Sequence, residues 1–109
     1  MNEENLDSPD VQTQIKQTVT DNSIVLFMKG NANFPQCGFS GRAIQILQSL
    51  NAEFVTVDVL SNDQVRAGIK TYSNWPTIPQ LYINGEFVGG SDIMTEMYES
   101  GELAETLTA

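Results

Sequence analysis

The 109-residue sequence carries 14 acidic and 5 basic side chains, one cysteine and no histidine, for a net charge of −9. That excess of acid argues against nucleic acid, which needs a basic footprint, and against an anionic membrane surface. One cysteine permits no internal disulfide and fits a reducing compartment; without histidine, a Cys–His nucleophilic pair or a protein-only zinc site is excluded within one chain.

The length and a hydrophobic content of 40% predict one folded domain over residues 8–109 behind a polar tail, 1–7. Ser8-Pro9-Asp10 reads as a helix start, with Ser8 as the cap and proline and acid in the first turn. Val11, Ile15 and Val19 then recur at a spacing of four and give that helix one apolar face. Asp21-Asn22-Ser23 ends it. Ile24–Met28, the longest apolar run at five residues, is too short to span a bilayer and reads as a buried strand. The acidic beginning resembles neither a signal peptide nor a transit peptide, so a cytoplasmic location is expected.

Gly30–Gln36 is a loop rich in Asn, Gly and Pro. Helical spacing follows from Gly41, through Ala43, Ile44, Leu47 and Leu50. Phe54–Asp58 alternates as a second strand, which closes a βαβ unit. Asn62 or Asp63 caps a helix to about Tyr72, with Val65 and Ile69 inward. The prolines of Trp75-Pro76-Thr77-Ile78-Pro79 forbid helix there. Gln80–Ile83 and Glu86–Gly89 flank Asn84-Gly85, a strong hairpin signal. Gly90-Ser91-Asp92 opens another helix, with Ser91 or Asp92 as its cap and Ile93, Met94, Met97 and Tyr98 for its core face. Gly101 stops it, and Leu103 and Leu107 turn inward in a last short turn. The order α-βαβ-α-ββ-α predicts an α/β fold whose four-stranded mixed sheet is covered by helices, its first two strands parallel and its last two an antiparallel hairpin.

Cys37 sits where the first strand gives way to a helix. Free N–H groups at a helix start favour the thiolate, which is both nucleophile and metal ligand. Free cysteine is often core filler, but Pro35, Gln36 and Gly38 make loop surroundings, and the reading here is a reactive thiol. Ser40 stands where a Cys-x-x-Cys pair would carry its second sulfur. It cannot resolve a mixed disulfide, and is expected to offer its hydroxyl to the thiolate or to the open helix end. Lys29, at the end of the first strand, is either a solvated lysine or a cation that lowers the thiol pKa. Met94 and Met97 read as core rather than as soft metal ligands, and Trp75 as packing.

Four segments together carry a resemblance: Lys29; Cys37-Gly38-Phe39-Ser40; Trp75-Pro76-Thr77-Ile78-Pro79-Gln80; and Gly89-Gly90-Ser91-Asp92. In this order they resemble the monothiol glutaredoxins of the Cys-Gly-Phe-Ser type, over residues 9–107. The resemblance implies a thioredoxin-like (glutaredoxin) fold with an extra N-terminal helix. It implies a glutathione site in which Lys29 and Arg66 meet the glycine carboxylate, although Arg66 reads equally well as a surface helix residue. Ile78 lends its backbone beside a cis Ile78–Pro79 bond, Ser91 and Asp92 meet the γ-glutamyl end, and Trp75 helps shape the groove. Ser91 departs from the many relatives that carry a second, non-catalytic cysteine there.

The resemblance further implies a homodimer that bridges a [2Fe–2S] cluster through Cys37 and glutathione from each half, and a monomer without it. The expected role is iron–sulfur cluster transfer, with client proteins and BolA-like proteins as partners. The alternative is a glutathione-dependent thiol–disulfide oxidoreductase with Cys37 as sole nucleophile. An inert interaction domain is the third and weakest reading.

Overall fold

In the computed structural model, which describes residues 9–108, the elements run α1 Pro9–Asp21, β1 Ile24–Met28, α2 Gly38–Ser49, β2 Val55–Asp58, α3 Asp63–Ser73, β3 Gln80–Ile83, β4 Glu86–Gly89, α4 Ser91–Ser100 and α5 Glu102–Thr108. Ser8, the expected cap of α1, lies outside the described residues. The sheet order is β2-β1-β3-β4. β1 runs parallel to β2 and antiparallel to β3, and β3 pairs antiparallel with β4. This is the expected four-stranded mixed sheet, with helices on both faces and an N-terminal helix.

The unbroken apolar run of β1 follows from its central place. Successive side chains of a strand point to opposite faces. Ile24, Leu26 and Met28 join one cluster with Ala43, Ile44, Ile46 and Leu47 of α2, Met94 of α4 and Leu103 of α5. Val25 and Phe27 join the other, with Val11, Ile15 and Val19 of α1, Ile69 of α3 and Tyr82 of β3. Both faces of β1 are thus covered, and all five of its residues are buried. α1 docks on α3 where Gly68 leaves no room for a side chain: a Cβ there would lie 2.5 Å from Val11 Cγ1. The Gln12 amide also donates to the Gly68 carbonyl at 3.0 Å.

Asn62 caps α3 as expected, its side chain accepting from the N–H groups of Gln64 (2.9 Å) and Val65 (3.1 Å). Two other expectations about helix starts are corrected. α2 begins at Gly38, three residues before the helical spacing does, because its first turn, with Gly38 and Phe39 exposed and the buried residue a serine, carries no apolar stripe. α4 is capped by the extended backbone of Gly90 and not by the side chain of Ser91 or Asp92, which already belong to the helix. Ile93 is also reassigned. It is 37% exposed while Met94 is fully buried, since a helix face centred on Met94, Met97 and Tyr98 leaves Ile93 at its edge.

Candidate functional site

Cys37 is the residue before α2, with extended backbone at φ −156° and ψ 139°. Its carbonyl accepts the first helical bond, from the Gly41 N–H at 2.9 Å. The sulfur closes no cap hydrogen bond of good geometry, yet its thiol is lowered from the ordinary value. The N–H of Ser40 is the main cause; partial burial opposes it, and the Phe39 N–H, the Ser40 hydroxyl and the Lys29 charge lower it further. The open end of the helix, more than the lysine, favours the thiolate.

The loop that presents Cys37 is tied at both ends. Gln36 donates its N–H to the Lys29 carbonyl at 2.8 Å. Lys29 in turn donates its N–H to the Ser40 hydroxyl at 3.1 Å. Ser40 is fully buried, so it joins the end of β1 to the first turn of α2 as well as facing the sulfur. Asp58 at the end of β2 accepts from the Gly30 and Leu60 N–H groups, each at 2.9 Å. Gly30 has φ +91°, and a side chain there would collide with the Phe34 carbonyl. Within the loop, the Asn31 side chain accepts from the Asn33 and Phe34 N–H groups, a local turn of the kind asparagine favours. Phe34 and Phe39, on either side of Cys37, are 70% and 63% exposed.

At Phe39, two residues along the chain from Cys37, begins a groove of about 270 Å³, whose walls also include Trp75, Ile78, Ser91, Asp92 and Ile93. One wall is the Trp75–Pro79 turn, and the Ile78–Pro79 bond is cis. Among the described residues, the N–H and C=O of Ile78 enter none of the backbone hydrogen bonds outside the helices and strands. The other wall is the start of α4. Its capping residue Gly90 has no side chain, and a Cβ there would lie 3.2 Å from the Pro79 carbonyl oxygen, so the two walls meet closely. Trp75 does more than pack: it sits 5.8 Å from the Phe87 ring and also lines the groove.

Of the residues singled out in the sequence, Ile78, Ser91 and Asp92 share this groove, with Ser91 buried and Asp92 exposed. Cys37 lies two residues from its Phe39 wall. Lys29 and Arg66 do not line it: Lys29 is half-buried at the base of the Cys37 loop, and Arg66 is exposed on α3. Met94 is core, and Met97 packs against that core.

Two contributors went unread in the sequence. Asp58 anchors the Cys37 loop across 28 residues, and nothing in a strand-ending Asp announces such a partner. Gln80 is fully buried. Its amide donates to the carbonyls of Trp75 (3.1 Å) and Thr77 (3.2 Å) and accepts from the Tyr82 hydroxyl (3.2 Å). Burial pushes Tyr82 up to about 12, which keeps that hydroxyl a donor. The signal for Gln80 was a polar residue opening a strand otherwise apolar.

A family model described as Glutaredoxin matches residues 24–88. An uncharacterised monothiol glutaredoxin of Synechocystis is 57% identical over 100 residues, covering 92% of this chain and 94% of that protein. Reduced apo GrxS14 of poplar superposes with a TM-score of 0.81 at 54% identity, covering 93% of each chain. A buckwheat glutaredoxin in complex with glutathione superposes with a TM-score of 0.81 at 25% identity, covering 91% of this chain and 88% of the other. With these matches, a thiol that has no second cysteine to resolve it, and a groove walled by a cis-proline turn, this chain belongs to the glutaredoxin family and to its monothiol members.

Proposed function

We propose that this protein binds glutathione in the groove beside Cys37 and, as a homodimer, carries a [2Fe–2S] cluster for transfer to client proteins. The observation that carries the glutathione half is a thiol lowered from its ordinary value together with Ile78 backbone groups on the groove wall that, among the described residues, enter none of the backbone hydrogen bonds outside the helices and strands. An extended peptide pairs with such groups as a short added strand. Glutathione's cysteine portion lies there, its sulfur toward Cys37. Its γ-glutamyl carboxylate meets the N–H groups at the start of α4, and its ammonium meets the Asp92 side chain. Its glycine carboxylate extends toward Lys29 and Arg66, cations outside the groove proper. The glutathione-bound buckwheat protein supports the same ligand in the same fold.

The cluster half rests on the donor set. A [2Fe–2S] cluster typically takes four thiolates. This chain has one cysteine and no histidine, and among the described residues no three His, Cys, Asp or Glu side chains stand close enough to hold a metal. Two chains supply Cys37 twice, and two bound glutathiones supply the remaining sulfurs. The exposed Phe34 and Phe39 offer the apolar surface that a second chain covers. Without the cluster the protein is a monomer. Ligands that are not covalently part of the protein make the cargo easy to hand on, to iron–sulfur clients or through a BolA-like partner. A single reduced cysteine suits the cytoplasm.

A second reading is an oxidoreductase, favoured by the lowered Cys37 thiol. The Cys37 thiolate attacks the glutathione sulfur of a mixed disulfide, the substrate leaves as its thiolate, and Cys37 becomes glutathionylated. A second glutathione thiolate attacks that sulfur, releasing Cys37 and oxidised glutathione. With no resolving cysteine, protein dithiol exchange is poor.

Anaerobic purification with glutathione separates the two readings. The carrier gives a coloured protein that Cys37→Ser renders colourless. A colourless wild type with brisk deglutathionylation overturns the carrier and leaves the enzyme.

A further inference from the structure

We propose that Gln80 is a positioning residue for glutathione: its buried amide holds the Trp75–Pro79 turn in the shape that makes one wall of the groove. The inference rests on the reading of that groove as a glutathione site.

A buried amide is costly unless its hydrogen bonds are made, and an apolar residue would fill the same space more cheaply. Gln80 is fully buried at the start of β3, opposite Phe27. Three hydrogen bonds offset its burial, and two of them end on the turn, at the Trp75 and Thr77 carbonyls. The other ties of the turn run back to α3. Pro76 and Pro79 have no N–H to donate; the Trp75 N–H reaches the Ser73 hydroxyl at 3.1 Å and the Lys70 carbonyl at 3.3 Å, and the Ser73 hydroxyl reaches the Trp75 carbonyl at a longer 3.4 Å, which leaves the Thr77 carbonyl to Gln80.

One planar amide therefore spans both sides of Pro76 and fixes the separation of the two carbonyls. Drawing those carbonyls inward sets where Trp75 and Ile78 stand on the groove side. The Tyr82 hydroxyl locks the amide from behind, and Tyr82 is itself held by ring contacts with Phe27 at 5.6 Å and Phe87 at 5.5 Å. The network thus runs from the packed sheet to the groove wall.

The contribution of the turn end is read by difference. Gln80→Met removes the whole amide, both donors to the turn and the acceptor of the Tyr82 hydroxyl, while keeping length and burial. Tyr82→Phe removes only the donor behind. Ile15→Val, in α1, loosens the core cluster that also holds Ile78 and Tyr82 but cuts none of these hydrogen bonds. Glutathione affinity is read by calorimetry beside the melting temperature, and the amide shifts of Trp75, Thr77 and Ile78 are read by NMR. Gln80→Met is expected to bind about tenfold more weakly, the effect of about one hydrogen bond's worth of lost positioning. Tyr82→Phe should stay within about twofold, as a net-modest bond to the rear of the amide. Ile15→Val lowers the melting temperature and leaves affinity unchanged. If Gln80→Met does not fold, Gln80→Asn, one carbon too short to reach both carbonyls, shows the same loss. Wild-type affinity in the Gln80 variants, or affinity that simply follows melting temperature through Ile15→Val, overturns the proposal. If the wild type itself ignores glutathione, the functional reading fails, and the amide shifts still decide: they move in Gln80→Met if Gln80 positions the turn and stay fixed if it does not.

Discussion

Cys37 draws its reactivity first from the backbone. The Ser40 N–H is the largest influence lowering its pKa, and the Lys29 charge is the smallest. The sign follows: the ionised form is favoured, so the thiolate appears at lower pH than in an ordinary thiol. The rate of alkylation by iodoacetamide is therefore expected to rise with a midpoint below that of free glutathione. Ser40→Ala removes the hydroxyl and raises the midpoint more than Lys29→Ala does; the reverse order would make the lysine the dominant influence. For the proposed cluster-bound dimer the expected roles differ. Lys29→Ala is expected to weaken the hold on glutathione and to shorten the lifetime of the visible spectrum, and an unchanged lifetime removes Lys29 from the proposed site. The sequence announces Cys37 through its loop setting and Ser40 through its spacing. It does not announce that the Ser40 hydroxyl accepts from Lys29, because that bond joins residues brought together only by the β1–α2 turn.

At the level of elements, apolar spacing carried most of the architecture, since each helix buries one stripe and β1 buries both faces. It misplaced the start of α2, whose first turn buries a serine and no apolar side chain, and the expected side-chain cap of α4 is missing because the backbone of Gly90 takes that place. The same reasoning led Ile93 to be assigned to the core when it lines the groove. Caps written in side chains were legible, as at Asn62. Asn62→Ala is expected to cost about 1 kcal/mol in urea unfolding, with no change in glutathione affinity. Gly68→Ala pushes Val11 away and parts α1 from α3, at about 1–3 kcal/mol. An unchanged unfolding midpoint in Gly68→Ala would mean that this helix contact gives way freely.

For the whole molecule, the sheet gathers into one corner what the chain keeps apart: the Cys37 loop after β1, the cis-proline turn before β3 and the start of α4 after β4. Each begins or ends at the same edge of the fold, and the family motifs fall at these junctions. What the sequence could not display is the support behind them, Asp58 under the loop and Gln80 under the turn: Asp58 acts across 28 residues, and Gln80, though only five residues from Trp75, is aimed at the turn by its burial in the sheet, which spacing does not reveal. One cysteine per chain is too little sulfur for the proposed cluster, and this is why the proposal calls on a second chain and on glutathione. The most direct test is the native mass of the protein reconstituted anaerobically with iron, sulfide and glutathione. The expected species holds two chains, two glutathiones and one [2Fe–2S] cluster, and Cys37→Ser abolishes it. A cluster held by a single chain, held without glutathione, or retained in Cys37→Ser would contradict it.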